Sequence, residues 1–295
     1  MSNIDYIFEE KAADIGNFLV GRLLPFKQKR SIGPFVFIDH MGPAHMKAGE
    51  NLDVAPHPHI GLSTLTFLFE GAVQHRDSLG NNITIEPGAV NWMTAGKGVV
   101  HSERTPDHLR NVEKTMHGLQ IWIALPKELE NMEPNFVHIE ADKLPVWKEG
   151  SIDFKLIAGE FEDNKSGVPV YSKLYMIEIK ANEDVTINMH DRLYGESGLY
   201  ILEGEISNAG TAFGPKQILI TKDAHLCTFD MKAGSTIYLF GGEPFPEEHF
   251  IFWNFVSTSR ETIEEAKDKW KKQEFPKVPG ETEFVPLPEN PFKKD

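Results

Sequence analysis

The sequence predicts an all-β chain folded as two tandem barrels, with a short C-terminal helix and an extended proline-rich tail. Three observations carry that reading. Strand-like segments separated by Gly, Pro and Asn fill residues 36 to about 125 and return from 168 to about 238; the two stretches align with each other; and helical periodicity is confined to the residues after Val256. At roughly 100 to 200 residues per domain, 295 residues hold two domains, each long enough to bury its own core.

The first stretch contains LSTLTFLFEG, NITIEPG and GLQIWIAL, short runs rich in β-branched and aromatic residues. In DSLGNNITI, Gly80 and the Asn81/Asn82 pair stand between apolar runs and predict a tight hairpin, because Gly and Asn tolerate the positive φ of such turns. The second stretch repeats the texture in YSKLYMIEIK, GLYILEGEI, KQILITKD and STIYLF. Setting Phe69-Glu70-Gly71 on Leu202-Glu203-Gly204 brings His57 onto His190 and His59 onto Arg192. Setting Ala95-Gly96 on Ala233-Gly234 brings His101 onto Leu239 and Glu103 onto Gly241, so the second copy is expected to lack the polar cluster of the first. The expected domains are residues 1–140 and 141–295, joined near Glu133 to Trp147, where ENMEP and KLPVW interrupt the strand pattern.

After Val256 the period changes. Thr258 and Glu261 have the spacing of a capping box, and Ile263, Ala266 and Trp270 repeat at helical intervals, predicting an amphipathic helix over 259–272. Pro276, Pro279, Pro286, Pro288 and Pro291 forbid its continuation, while Phe284 and Leu287 predict a tail laid along a barrel.

Composition removes several functions. With 44 acidic against 30 basic residues the net charge is −14, which phosphate backbones and acidic membrane surfaces repel, so neither nucleic acid nor membrane is an expected partner. One cysteine, Cys227, builds no disulfide framework or Cys-rich zinc site and is expected to be a small buried residue. The start MSNIDYIFEEKAADIG has neither the basic nor the apolar segment of a signal peptide, and a cytoplasmic location is expected. Phosphate-binding GxxxxGK[ST], strand-linked GxGxxG, GxSxG and CxxC are absent.

What remains is VAPHPHIG, with His57 and His59, and GKGVVHSERTP, with His101 and Glu103. Residues i and i+2 of a strand share a face, so each pair projects together. Two such strands facing each other across a small barrel would converge three imidazoles and a carboxylate, a donor set suited to one first-row divalent metal with positions left open. Chance alone supplies roughly 0.5 His-x-His and roughly 1.8 His-x-acid pairs at this composition, and His75/Asp77 and His138/Glu140 also match, so spacing alone leaves open hydrogen-bonded barrel histidines. Gly96 and Gly98 favour the metal reading by letting the strand bend as it enters the site.

FVFIDHMGP, HPHIGLSTLTFLFEG, HRDSLGN, GAVNWMTAGKGVVHSE and FVSTSRETIEEAKDKW, in this order, resemble the pirins, a branch of the cupin superfamily, over nearly the whole chain. The resemblance implies a bicupin, two double-stranded β-helix or jelly-roll barrels. It implies one divalent metal in the N-terminal barrel held by the residues matching His57, His59, His101 and Glu103, with iron favoured over zinc, manganese, nickel, copper or cobalt. A C-terminal barrel without metal ligands goes with it. Two functions follow from the resemblance: a quercetin 2,3-dioxygenase that cleaves a flavonol with dioxygen and releases carbon monoxide, Glu103 serving as ligand or as base, or a non-enzymatic, metal- and redox-sensitive regulator of a protein partner. Of the remaining polar residues, Asp39, His40, His75 and Asp77 are expected to serve turns, His45 to be exposed, and Trp92 and Met93 to fill the core.

Overall fold

The computed structural model describes residues 4–15, 18–221 and 228–289, so Cys227 lies outside the described residues. The chain divides into two compact units, each an antiparallel β structure of two sheets. The first barrel is built on His40–His138 and also takes Asp14–Leu19 and Pro246–Asp295; the second is built on Ile139–Phe245 and also takes Met1–Ala13 and Val20–Asp39. These are not the linear halves 1–140 and 141–295, because both chain ends depart from that division. The strand Ile4–Glu9 adds itself to the edge strand Gln217–Thr221 of the second barrel, satisfying backbone groups that would otherwise be exposed. The C-terminal helix buries its apolar stripe in the first.

In the first barrel the smaller sheet runs Asp53–His59, Val99–Arg104, Val73–Asp77, Asn82–Ile85 in spatial order. The larger runs Asn135–Ile139, Val90–Thr94, Leu62–Glu70, Lys114–Ala124 and then the part of the strand Phe35–Met46 that begins at His40. The hairpin at DSLGNN forms with Gly80 at φ 93° and its N–H donating to the Asp77 carbonyl at 3.1 Å. Between the sheets the chain turns at Gly61, φ 67°, where a Cβ would stand 1.9 Å from the Val256 carbonyl oxygen; only glycine fits. Trp92 and Met93 are buried, the Trp92 indole N–H donating to Thr94 Oγ1 at 3.0 Å.

The second barrel has the same plan, with a small sheet in the order Val185–Asn188, Thr228–Met231, Ile206–Asn208, Thr211–Phe213. Thr228–Met231 alternates exposed and buried, turning Phe229 and Met231 inward. They join Ile187, Leu156, Leu199 and Leu239 in a continuous apolar core. The sheet order corrects half of the repeat alignment. Leu62–Glu70 and Glu196–Glu203 are equivalent, but the counterpart of Val99–Arg104 is Thr228–Met231 rather than Thr236–Gly242, which is central in the large sheet. Ala95-Gly96 and Ala233-Gly234 are different turns that look alike because every tight turn draws on the same residues. His190 is exposed beside Asp191 at 2.7 Å, and Arg192 lies between Glu149 and Glu162.

The helix spans Arg260–Lys271 and buries Ile263, Ala266 and Trp270, the stripe its period predicts. Its N-cap is Ser259, accepting from the Thr262 N–H at 3.3 Å, and not Thr258, whose N–H is taken by the buried Glu130 carboxylate at 2.7 Å. The stripe packs on Ile60, Val100, Phe255 and Val278. Beyond it the Trp270 indole N–H donates to the Val285 carbonyl at 3.0 Å, and the Val285 N–H donates to Pro56 at 2.8 Å, so the tail runs along the edge strand Asp53–His59. Glu281 accepts from Ser102 and, through both oxygens, from Arg104 on the outer face of the neighbouring strand. Among the described residues no helix is long and apolar enough to cross a membrane.

Trp270→Ala removes a fully packed indole and a hydrogen bond to the tail, so urea unfolding should show a loss of about 3 to 5 kcal/mol. Glu264→Ala, which removes an exposed carboxylate paired with Lys267 three residues on, should change stability by less than about 0.5 kcal/mol.

Candidate metal centre

Asp53–His59 carries prolines at 56 and 58, which an interior strand would reject because they donate nothing to the ladder; the sheet order puts this strand at an edge, where they are tolerated. Its partner Val99–Arg104 is hydrogen-bonded directly beside it. The two histidine-bearing strands are therefore neighbours in one sheet, not strands facing across the barrel. Val99 pairs with His59 and His101 with His57; the register then shifts, and Glu103 stands opposite Val54. This bulge at Ala55 and Pro56 bends the strand so that the Ala55 carbonyl accepts from His57 Nδ1 at 2.9 Å. With its proton on Nδ1, His57 presents Nε2 as a lone pair.

One ring nitrogen from each of His57, His59 and His101 lies within 4.8 Å of the other two, and the three residues are buried. His59 Nε2 and His101 Nε2 are 3.1 Å apart. Burial, the largest cause, keeps the rings neutral: it draws His57 down to about 4, and His59 and His101 well below the usual histidine range, each also repelled by neighbouring histidines. His59 Nδ1 has no well-formed hydrogen bond, the backbone of Asn254 being the polar group that acts on the ring. Three neutral imidazoles converging in a buried site fit a divalent metal ion far better than they fit one another. Trp122 stands edge-on to His59 with ring centroids 5.3 Å apart and forms an apolar wall.

Glu103 lies outside that convergent group. It follows His101 on the same strand, partly buried and paired opposite His75, and burial pushes its carboxyl up. Of the alternative His-x-acid pairs, His138 bonds Asn91. His75/Asp77 is a different matter. Val73–Asp77 alternates so that Val73, His75 and Asp77 are buried and Gln74 and Arg76 are not, and His75 Nδ1 lies 3.3 Å from His101 Nδ1. Asp77 does cap the hairpin, accepting from the N–H groups of Leu79 and Asn81, yet it also bonds His75 Nε2 at 3.1 Å. The pair thus serves the turn expected of it and also faces inward, as the i, i+2 spacing it shares with His57/His59 permits. Asp39 and His40 lie within a strand rather than a turn, Asp39 accepting both Nε and Nη2 of Arg22 at 2.8 Å and His40 bonding His117 at 2.9 Å.

A family model described as Pirin matches residues 17–123, and one described as Pirin C-terminal cupin domain matches residues 174–276. A pirin-like protein of Caulobacter vibrioides is 45% identical over 97% of this chain and 100% of its own length. The chain belongs to the pirin family. Its two barrels are the tandem cupins of that family. A crystal structure of quercetin 2,3-dioxygenase from Acinetobacter baumannii superposes with a TM-score of 0.87 at 34% identity, covering 98% of this pirin and 97% of that chain. A bacterial pirin from Escherichia coli, solved in complex with nickel(II), shares the fold with a TM-score of 0.64 at 20% identity, covering 81% and 99%.

The buried rings make a pH prediction for the metal-stripped protein. A histidine of the unfolded chain titrates near 6.5 and His57 of the folded pirin near 4, so between these values the unfolded state binds more protons. Stability should therefore fall as the pH is lowered through this window, by up to about 1.4 kcal/mol per pH unit for each such ring. Urea midpoints between pH 7 and pH 4.5 should show this slope, and His57→Gln should flatten it; an unchanged slope in the variant would mean that the ring is not buried neutral.

Proposed function

We propose that this pirin holds one divalent first-row metal through His57, His59, His101 and Glu103 and cleaves a flavonol with dioxygen, releasing carbon monoxide, with quercetin as the reporter substrate. The convergence of three neutral, buried imidazoles carries the proposal, and the similarity to a quercetin 2,3-dioxygenase over nearly the full length of both chains gives it its chemistry. The three histidines supply neutral donors and leave the charge of the ion uncompensated; Glu103, the nearest acidic residue along the ligand strand, supplies the fourth donor and a negative charge. A redox-competent metal held by these residues, iron being favoured, would supply the Lewis acidity and electron exchange that oxidation of a flavonol by dioxygen requires.

The chain's own residues do the remainder. Burial raises the Glu103 carboxyl toward the range in which it can take up the flavonol hydroxyl proton, so the same group serves as a ligand or as the base. Trp122 beside His59 and Phe136 stacked on His75 at 4.7 Å keep bulk water from the ring nitrogens and offer faces to a flat aromatic molecule. The Ala55 carbonyl holds the His57 ring in orientation while substrate exchanges.

Metal analysis after loading should give close to one metal per chain for the wild type and, for His57→Ala and Glu103→Ala, an affinity lower by roughly tenfold or more. Equal loading in all three would remove this ligand set. Iron-loaded protein given quercetin in air should consume oxygen and release carbon monoxide in equal amounts, and His101→Ala should do neither. Bound iron without turnover would overturn the dioxygenase assignment while leaving the metal site standing.

A further inference from the structure

We infer that His75 and Asp77 act as a positioning pair that sets the tautomer of His101, turning its Nε2 lone pair to the metal; this rests on the metal site proposed above but not on the substrate. The argument is one of donors and acceptors. Asp77 Oδ1 accepts from the backbone N–H of Leu79 at 2.9 Å and of Asn81 at 3.0 Å, and Oδ2 accepts from Asn81 Nδ2 at 2.8 Å. Two of these partners are backbone groups that can only donate, so the carboxylate is fixed in place as an acceptor. The hydrogen bond at 3.1 Å between Asp77 Oδ2 and His75 Nε2 therefore has the ring as donor. A neutral His75 with its proton on Nε2 has a lone pair on Nδ1, which lies 3.3 Å from His101 Nδ1 and accepts the proton carried there. His101 is left with its lone pair on Nε2, the nitrogen that meets His59 Nε2 at 3.1 Å in the convergent group.

The backbone imposes this order. His101 pairs with Asp77 and Glu103 with His75, so His75 sits diagonally from His101 on the inward face, within reach of its ring. Phe136 stacks on His75 with planes 19° apart and holds the ring against rotation. His57 receives its tautomer from a backbone carbonyl; His101 receives its own from a side-chain pair ending in a buried carboxylate, the arrangement by which an outer carboxylate strengthens a metal-bound imidazole.

Asp77→Asn tests the inference with almost no change of shape. The amide oxygen keeps the two backbone caps, while the amide NH2 in place of Oδ2 donates to His75 Nε2 and, once the Asn81 side-chain amide turns over, to the Asn81 amide oxygen. His75 must then carry its proton on Nδ1 and donate to His101, whose own proton moves to Nε2, against the metal. With zinc as the probe and a chelator in competition, affinity should fall roughly 10- to 100-fold in Asp77→Asn. In the metal-free protein, long-range 15N–1H correlation spectra should show the His101 proton on Nδ1 in the wild type and on Nε2 in the variant. His75→Phe keeps the stack on Phe136 and the Asp77 caps but removes the acceptor, and should weaken zinc similarly. His75→Asn, whose amide oxygen takes the place of Nδ1, should bind zinc better than His75→Phe, and in its background Asp77→Asn should have no further effect. An Asp77→Asn protein that binds zinc like the wild type with the His101 proton still on Nδ1 overturns the inference, as does an equal loss in the His75→Asn background, which would mark Asp77 as a turn residue alone. Wild type that takes up no zinc or iron would instead sink the metal reading, and the metal-free spectra would still decide the tautomer.

Discussion

The strand Val99–Arg104 and its two antiparallel ladders are the constraint on which the site depends. On one side it aligns His101 with His57 and brings His59 alongside; on the other it aligns His101 with Asp77 and Glu103 with His75. Every group with a claim on the metal is thus placed by backbone hydrogen bonds in one sheet rather than by loops. A slip of one residue in either ladder would turn the polar residues of the slipped strand to the outer face, since side chains alternate with period two. In these two ladders the bulge at Ala55 and Pro56 is the departure from regular pairing, and it lies where the His57 ring finds its carbonyl.

That sheet has an exposed side to manage. Its edge strand contains two prolines, and its outer face presents Ser102 and Arg104; the C-terminal tail meets both, through Val285 on Pro56 and Glu281 on Ser102 and Arg104. The tail is in turn held by Trp270, whose ring is buried with Ile263 and Ala266. Helix, tail and histidine-bearing strands therefore form one mechanical unit, although Ser102 and Glu281 stand 179 residues apart in sequence. The second barrel shows the same plan put to another use: where the first turns imidazoles inward, the second turns Ile187, Phe229, Met231 and Leu239 inward and closes its interior with packed side chains.

Several features were legible because they are local. The i, i+2 spacing of His57/His59 and His101/Glu103 showed which residues share a face, Gly80 marked the hairpin, and Ile263, Ala266 and Trp270 marked the helix. Local likeness also misled. The turn residues Ala95-Gly96 and Ala233-Gly234 drew the repeat alignment onto the wrong strand, and Thr258 looked like the helix cap until Glu130, distant in sequence, claimed its backbone N–H. His75 was assigned to the turn because Asp77 does serve the turn; its second bond, to a residue 26 positions away, has no trace in local sequence.

The sequence by itself determined the all-β class, the two-copy architecture and the family, and it nominated the histidine pairs without deciding whether they converge, since strand period, turn chemistry and residue spacing are properties of short stretches of chain. Only the tertiary structure decided that the two histidine strands are hydrogen-bonded neighbours, that the chain ends cluster away from the linear halves in which they begin, and that His75 and Asp77 stand behind His101. Those depend on which strand lies beside which. That choice is made by the burial of whole faces and the closing of sheet edges, which act across the entire fold and leave no periodic mark on the sequence.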